Sequence, residues 1–287
     1  MTTGTGPIVI KLGGTGVESP VSTPALWRAV IDLHASERRR GATGVILVHG
    51  GGKAVDAALA RLGFTTERRQ GLRVTPPDQM RHIAEVLGAI NKSIVGALKG
   101  MGQPALGLCP GECGTASARR LKPGGEDIGL VGEINGGDAT FTLRTLAAGI
   151  IPVFGPVAID DQGGFLNVNA DDVATGLAGV NAARLLVLLT DVPGVRGPGG
   201  AVIERATPEE LEGHIASGVI HGGMVPKVRA AVRAAELAGV GVLVSSWQRP
   251  ETLSTIDEQH GVGTLISASA RAASSSQLAH ASKEPVS

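Results

Sequence analysis

A lysine stands at the end of an apolar run near the start of the sequence. Residues 7–12, PIVIKL, read as a buried strand, and Lys11 within it is followed closely by Gly13 and Gly14. Burying a lysine without an anionic partner is costly. Glycine lets a backbone approach an anion closely, and a helix that begins there would supply N–H donors. The stretch therefore predicts that Lys11 faces an anion site rather than a hydrophobic core.

Two further glycine-rich turns follow runs of the strand type. The glycines at 50–52 follow the run VILVH, and the turn that begins at Asp191 follows the run LLVLLT. In an open α/β sheet, ligands bind at the carboxyl ends of the strands. One such turn is a weak signal, but three turns in one sheet predict a site that holds several anionic groups.

A second lysine, Lys227, lies in the first turn of a predicted helix. Pro226 suits that first turn, and Gly222 and Gly223 precede it. A lysine at this position opposes the helix dipole. It is either an exposed lysine that tolerates a cost of a few tenths of a kcal/mol, or a phosphate ligand acting together with the helix N-terminus. The two glycines favour phosphate binding.

Two asparagines and two aspartates lie close together in the segment LNVNADD. Asn169 suits the cap of the following helix, and Asp171 and Asp172 suit its positive end. Helix capping alone could therefore explain why these residues are present. Asn167 lies one strand repeat earlier and points the same way as Asn169. A carboxylate from this segment would also lower the cost of the two lysine charges and orient them.

Arg73 lies in the segment RRQGLRVTPPD, a stretch punctuated by glycine and proline that we interpret as a loop between two helices. A guanidinium presents a fork of N–H donors that pairs with a carboxylate through two hydrogen bonds. Arg73 is therefore a candidate carboxylate ligand, and the alternative is an ordinary surface arginine.

Neither common nucleotide-binding motif is present. The dinucleotide fingerprint G-x-G-x-x-G fails because Ser19 takes the third glycine position. The phosphate loop G-x-x-x-x-G-K-[ST] fails because HGGGKA lacks the first glycine and the hydroxyl residue. A nicotinamide-dependent dehydrogenase is therefore disfavoured.

Strand-like runs alternate with helical patterns along the chain. Strands are predicted at 7–12, 43–52, 103–109, 114–121, 128–134, 150–159, 163–169, 183–195, 241–247 and 263–267. Helices are predicted at 23–41, 53–63, 78–100, 139–149, 170–181, 207–218 and 222–239. Alternation with fully apolar strands indicates an α/β fold with a mostly parallel sheet covered on both faces.

Composition narrows the functional classes. The 287 residues are 43% hydrophobic, which supports a large core, and 26 basic residues balance 26 acidic ones. This balance favours neither nucleic acid nor an anionic membrane as a partner, and 2% aromatic residues make a base-stacking surface a poor interpretation.

The lack of recognisable targeting signals and the small number of cysteines predict a cytoplasmic protein. We find no signal-peptide pattern and no apolar run of about 18 residues that could span a membrane. The only cysteines, Cys109 and Cys113, have no second Cys/His pair nearby, so loop thiols in a reducing compartment are favoured over a zinc site or a disulfide. The Ser/Ala-rich residues 268–287 are predicted to be a disordered tail.

The motifs closely resemble those of the N-acetylglutamate kinases, a branch of the amino acid kinase family. The matching segments, in chain order, are IVIKLGG, VILVHGGGKAVD, GLRVTPPDQM, NKSIV, IGLVGEI, NVNADDVAT, VLLTDVPGV and GGMVPKV. The lysine–glycine opening and TDVPGV are shared widely in the family, whereas GLRVT with NVNAD and GGMVPKV is more specific. The resemblance extends over residues 7–267.

The resemblance implies a fold, a reaction and partners. The fold is an open, mostly parallel eight-stranded sheet between helix layers, with an N-lobe (1–181) for acetylglutamate binding and homodimerisation and a C-lobe (182–267) for ATP. The reaction is ATP-dependent phosphorylation of the side-chain carboxylate of N-acetyl-L-glutamate, a step of arginine biosynthesis. ATP with Mg²⁺ is the implied cofactor, and no metal ligand is assigned.

The resemblance also implies roles for single residues. Lys11 and Lys227 resemble the catalytic lysines, and Asp171 resembles the aspartate that positions both. The implied acetylglutamate ligands are Gly51, Gly52, Arg73 and Asn167. The implied nucleotide ligands are Gly13, Gly14, Asp191 and Lys227.

Two departures leave alternatives open. Only MTTGTG precedes the first strand, so we expect an arginine-insensitive dimer without the additional N-terminal helix of arginine-inhibited members, although DEQHGVGTLI resembles a loop of the sensitive members. The unusual segment 109–120 leaves acyl-group specificity open. The rivals are a kinase of a related acyl amino acid, such as an aminoadipate derivative, and a non-catalytic nucleotide-binding regulator.

Overall fold

A computed structural model describes residues 5–13, 22–256 and 263–267. Its α-helices are α1 (Pro24–Arg39), α2 (Gly52–Arg61), α3 (Pro77–Gly100), α4 (Thr140–Ala147), α5 (Ala170–Val180), α6 (Pro208–Ala216) and α7 (Met224–Ala238). Its strands are β1 (Ile8–Leu12), β2 (Val45–His49), β3 (Arg68–Arg69), β4 (Leu72–Arg73), β5 (Ala105–Leu108), β6 (Ser117–Arg120), β7 (Val131–Gly136), β8 (Ile151–Phe154), β9 (Val157–Ile159), β10 (Phe165–Val168), β11 (Leu185–Thr190), β12 (Arg205–Ala206), β13 (Val242–Ser246) and β14 (Thr264–Ile266). Each predicted helix forms, with ends within a few residues of the predicted ones.

The main sheet has eight strands in the order β12-β14-β13-β11-β1-β2-β8-β5. All neighbouring strands are parallel except β13 and β14, which run antiparallel. The prediction of an open, mostly parallel eight-stranded sheet is confirmed. Because β1 lies near the centre with β11 and β2 on either side, its carboxyl end is surrounded by the ends of its neighbours.

Helices cover both faces of the main sheet. On one face, Ile8, Ile10 and Leu12 of β1 belong to a buried cluster with side chains of α1 and α3. On the other face, Val9 belongs to a cluster with side chains of α5 and α7. Side chains alternate along a strand, so Lys11 shares the face of Val9 and projects toward α5 and α7.

A second sheet of four strands, in the order β6-β7-β10-β9, lies outside the predicted architecture. The single strand predicted over residues 150–159 is wrong, because the chain divides it between β8 in the main sheet and β9 in the second sheet. The break falls at Gly155 and Pro156, where proline has no N–H to continue a ladder. The prediction that residues 114–121 and 128–134 form hairpin arms is confirmed by the antiparallel pairing of β6 with β7.

The segment around Arg73 is also more regular than predicted. We predicted a loop, but β3 and β4 form an antiparallel hairpin in which Arg69 pairs with Leu72. Its two central residues, Gln70 and Gly71, have φ angles of 50° and 83°. Two-residue hairpin turns favour positive φ at both central positions because this geometry matches the twist of the strands.

No helix in the described ranges is long and apolar enough to cross a membrane. The predicted tail, residues 268–287, lies outside the described residues, as do residues 14–19 with Gly14 and Ser19, and the part of DEQHGVGTLI at 257–262.

Candidate functional site

Three strand ends meet at one edge of the main sheet. Leu12 is in register with His49 of β2 and with Leu189 of β11, so the following turns lie side by side. Backbone hydrogen bonds continue beyond the strands, from Gly13 N–H to the Leu189 carbonyl and from Gly50 N–H to the Leu12 carbonyl, both at 3.0 Å. The prediction that the glycine-rich turns share one sheet edge is confirmed.

Lys11 meets a carboxylate at this edge. Its Nζ lies 2.9 Å from Oδ1 of Asp171, in the first turn of α5, and the lysine side chain is 14% exposed. Asn169 caps α5, because its side chain accepts a hydrogen bond from Asp171 N–H at 2.9 Å. A Cβ atom on Gly13 would lie only 2.9 Å from Lys11 Nζ, so the glycine leaves room for the lysine head. Asp171 therefore compensates the buried charge that made Lys11 unusual in the sequence.

Two cavities adjoin Lys11. The first, of about 270 Å³, is lined by the glycines at 50–52 together with Arg73 and Asn167. The second, of about 190 Å³, is lined by Asp171, Asp191 and Lys227 among apolar side chains of β11, β13 and α7. Lys11 and Gly13 line both. The lysine thus lies at the boundary, where it can contact ligands on either side.

Arg73 is a buried residue of the first cavity, so the alternative of a surface arginine is wrong. Its side chain is 6% exposed and lies 2.5 Å from Asp56 of α2. It also donates to Thr66 Oγ1 and to the carbonyl of Gly52, each at 3.1 Å. Partial burial works to raise the pKa of Asp56, but Arg73 and Arg68 outweigh it and lower the pKa. The guanidinium is therefore held in place by an ionised carboxylate.

Asp56, which was not predicted from the sequence, holds both arginines that line this cavity. Arg68 Nη2 lies 2.8 Å from its second oxygen. The only signal was helical spacing, since Asp56 lies four residues after Gly52 and so on the same face of α2.

Asn167 is oriented by a short chain of hydrogen bonds within the first cavity. Its Nδ2 donates to Thr75 Oγ1 at 3.0 Å, and that hydroxyl donates to the Arg73 carbonyl at 3.0 Å. The amide group is therefore tied to the same segment that carries the guanidinium.

Lys227 is placed differently from Lys11. It is exposed, and it forms no ion pair with any residue that the structure describes. The structure thus brings Asp171 to Lys11, but not to Lys227, although both lysines line the second cavity. Asp191 lies in the same cavity, where its Oδ1 accepts from Trp247 Nε1 at 3.3 Å.

The cysteines lie in the turn after β5. Both thiols are free, and burial raises the pKa of Cys109, with a further contribution from Glu112. No group of three or more His, Cys, Asp or Glu side chains in the described ranges could hold a metal ion.

Known proteins give this geometry a context. A family model described as the amino acid kinase family matches residues 6–246. The acetylglutamate kinase of Colwellia psychrerythraea is 38% identical over 261 residues, which cover 91% of this chain and 96% of the relative. That of Vibrio vulnificus is 36% identical and covers 90% of this chain and 95% of the relative.

Solved structures agree on the fold. The smu.665 protein of Streptococcus mutans is similar, with a TM-score of 0.71 and 27% identity over 92% of this chain and all of that chain. Carbamate kinase from Giardia lamblia bound to AMP-PNP has a TM-score of 0.61 and 19% identity over 93% of this chain and 99% of that chain, a likeness of fold alone.

Proposed function

Since the chain belongs to the amino acid kinase family, we propose that it transfers the γ-phosphoryl group of ATP to the side-chain carboxylate of N-acetyl-L-glutamate. The product is N-acetyl-L-glutamyl 5-phosphate, and the step belongs to arginine biosynthesis. One observation carries the proposal: Lys11, paired with Asp171, lies between two cavities at the carboxyl edge of the main sheet, and it lines both of them. Relatives named acetylglutamate kinase, 36–38% identical over about nine tenths of this chain, support the choice of acceptor.

The chemistry needs positive charge rather than a base. The acceptor carboxylate is already ionised at neutral pH, so no side chain has to remove a proton. Two anions must instead approach each other while charge spreads over the oxygens of the transferring group. Positioning and electrostatic stabilisation account for most of the catalysis in phosphoryl transfer. Lys11 and Lys227, which both line the second cavity, supply that charge.

The first cavity is the proposed acceptor site. Arg73 binds the α-carboxylate of acetylglutamate through its fork of donors, and Asn167 and the turn at Gly51 and Gly52 complete the site. Asp56 holds the guanidinium before any ligand arrives, which reduces the entropy lost on binding.

The second cavity is the proposed nucleotide site. Its apolar lining suits a base or ribose face, while Lys227 and the N-terminus of α7 suit phosphate. Asp171 and Asp191 are its two carboxylates, and each has a protein partner. Mg²⁺ commonly binds through nucleotide phosphates and one or two carboxylates, so the site fits a metal that arrives with ATP. When bound, the metal would neutralise phosphate charge.

A substrate panel tests the proposal. ADP release is measured by a coupled assay with N-acetylglutamate, glutamate, aspartate and N-acetylaminoadipate. We expect turnover with N-acetylglutamate at least tenfold above any other acceptor, since a polar site rejects ligands that leave its groups unpaired. If the aminoadipate derivative is preferred, it takes the place of N-acetylglutamate as the proposed substrate. If no acceptor gives ADP release, the proposed kinase activity is refuted.

Other parts of the hypothesis concern assembly. We propose a homodimer formed through the N-lobe, a C-lobe that binds ATP, insensitivity to arginine and a cytoplasmic location. Size-exclusion chromatography with light scattering, and an assay with and without arginine, test the first and third of these. A hexamer would contradict the homodimer, and loss of activity with arginine would contradict the insensitivity.

A further inference from the structure

Two buried polar side chains lie beneath the glycine turn that follows β2. His49, the last residue of β2, is fully buried, and Asn91 of α3 is 6% exposed. The proposed reaction uses neither residue. Burying a polar group without a partner is costly, so the hydrogen bonds that the pair makes indicate its role.

Their hydrogen bonds have one consistent direction. Asn91 Nδ2 lies 2.9 Å from the carbonyl oxygen of Val153 and 3.3 Å from Nε2 of His49. His49 Nδ1 lies 2.7 Å from the carbonyl oxygen of Gly50. A carbonyl only accepts, so Nδ1 carries the imidazole proton, and the second hydrogen of the amide is available to Nε2. The ring is therefore neutral and present as a single tautomer. Burial, only partly opposed by the Gly50 bond, lowers the pKa of His49 to about 4.

Two glycines make room for this pair. A Cβ atom on Gly107 would lie 1.9 Å from Asn91 Oδ1, and one on Gly155 would lie 3.1 Å from His49 Nε2. Two buried polar groups, with glycine beside each, form a built arrangement rather than an accident of packing.

The arrangement acts on one peptide unit. The Gly50 carbonyl and the Gly51 N–H belong to the same planar, trans peptide, so holding the oxygen inward turns the N–H outward. Gly51 has φ of 150°, and a Cβ there would lie 2.7 Å from Leu87 of α3, so a side chain at this position would strain the backbone. Neither Gly51 nor Gly52 donates its N–H to another group in the described ranges, and both line the first cavity.

We propose that His49 and Asn91 are positioning residues that fix the Gly50–Gly51 peptide and so aim the Gly51 N–H at the acceptor. The inference rests on the proposed function, because the acceptor is the ligand of that cavity. Asn91 holds the imidazole, and the imidazole holds the carbonyl.

Two substitutions at His49 separate positioning from packing. In His49→Asn, the amide nitrogen can take the position of Nδ1 and still donate to the Gly50 carbonyl. In His49→Gln, the amide nitrogen takes the position of Nε2 instead, and the Gly50 carbonyl loses its donor. Glutamine is the closer match in size, so a packing role alone favours His49→Gln. We expect kcat to fall about tenfold in His49→Asn and about 100-fold in His49→Gln, since a misplaced group can cost about 100-fold. Equal or better activity in His49→Gln would overturn the proposal.

His34 provides the matched control. It is 2% exposed, lies in α1 away from both cavities, and its Nδ1 accepts from Val45 N–H at 3.1 Å. His34→Asn and His34→Gln should lower the midpoint of thermal unfolding with kcat within about twofold of the parent, as expected for packing sites. A loss of kcat in the His34 variants as large as that in His49→Gln would show a general effect of destabilisation and overturn the proposal.

A spectroscopic test does not depend on activity. In the full chain labelled with ¹⁵N-histidine, His49 should give the pattern of a neutral ring protonated at Nδ1, and His34 that of a ring protonated at Nε2. His49→Asn and His34→Asn assign the two signals. An Nε2-protonated His49 would overturn the positioning role even in an active enzyme. Absence of kinase activity together with the expected tautomer would refute the proposed function instead.

Discussion

The two sides of Lys11, which are the proposed acceptor side and the proposed nucleotide side, are built differently. On the acceptor side, Arg73 is buried and contacts Asp56, Thr66 and the Gly52 carbonyl. On the nucleotide side, Lys227 is exposed and has no ion-pair partner in the part of the chain that the structure describes. One cation is therefore held by protein groups, and the other has no ion-pair partner among the described residues, so we propose that the ligand supplies it.

This difference has an energetic meaning. Preorganised donors need no reorganisation when charge develops, which is the largest electrostatic advantage of a catalytic site. An exposed lysine has about 2 kcal/mol of rotamer entropy to lose when it is ordered. Lys11 shares the fixed character of the acceptor side through Asp171, so we expect it to matter more to the rate than Lys227.

Removal of Lys11 should give the largest effect. We expect Lys11→Ala to lower kcat roughly 1,000-fold, because it removes charge from the proposed meeting point of the two ligands. Steady-state kinetics and circular dichroism check this in a folded protein. Lys53→Ala is the control, since Lys53 is an exposed lysine next to the glycine turn. This variant should have a nearly normal kcat. A kcat within tenfold of the parent would remove Lys11 from the chemistry.

Removal of Lys227 tests the ranking of the two lysines. We expect Lys227→Ala to lower kcat roughly 100-fold, a loss typical of one transition-state donor. Its thermal midpoint should be unchanged, because the lysine pairs with no described residue. A larger loss of kcat than in Lys11→Ala would reverse the comparison.

Arg73 should affect binding more than rate. Hydrogen bonds to charged groups contribute about 1.5–3 kcal/mol, so Arg73→Ala should raise KM for acetylglutamate roughly 10- to 100-fold. KM for ATP should stay the same. Arg69→Ala is the control on the same hairpin, where Arg69 is exposed and pairs with Glu67 and Glu126. An equal rise of both KM values would contradict separate acceptor and nucleotide sides.

Acid should lower the free energy of unfolding, with little effect at neutral pH. Burial is the main factor that lowers the pKa values of His34 and His49 from 6.5 to about 4. The unfolded chain therefore binds more protons below pH 6.5, so stability is complete above that pH and falls progressively toward about pH 4. Each histidine contributes a slope of roughly 1 kcal/mol per pH unit. Urea unfolding between pH 7 and 4.5 measures it, and an unchanged slope in His34→Gln would contradict the assignment.

Local patterns predicted most of the fold. The 3.6-residue period and the capping residues identified the helices, and continuous apolar runs identified the central strands, because both signals lie within about ten neighbouring residues. The hairpin β3–β4 and the division of residues 150–159 were not predicted. Their pairing partners depend on which segments meet in space, and short strands carry a weak periodic signal.

The sequence by itself determined the α/β class, the turns that meet at one sheet edge, and the resemblance that named Lys11, Asp171 and Lys227. Only the tertiary structure decided which groups are paired. Asp56 meets Arg73 from 17 residues away, and His49 meets Asn91 from 42 residues away. Such contacts follow from how helices pack on the sheet rather than from spacing along the chain. The same packing placed Asp171 against Lys11 and left Lys227 exposed, which makes the two sides of the site unequal.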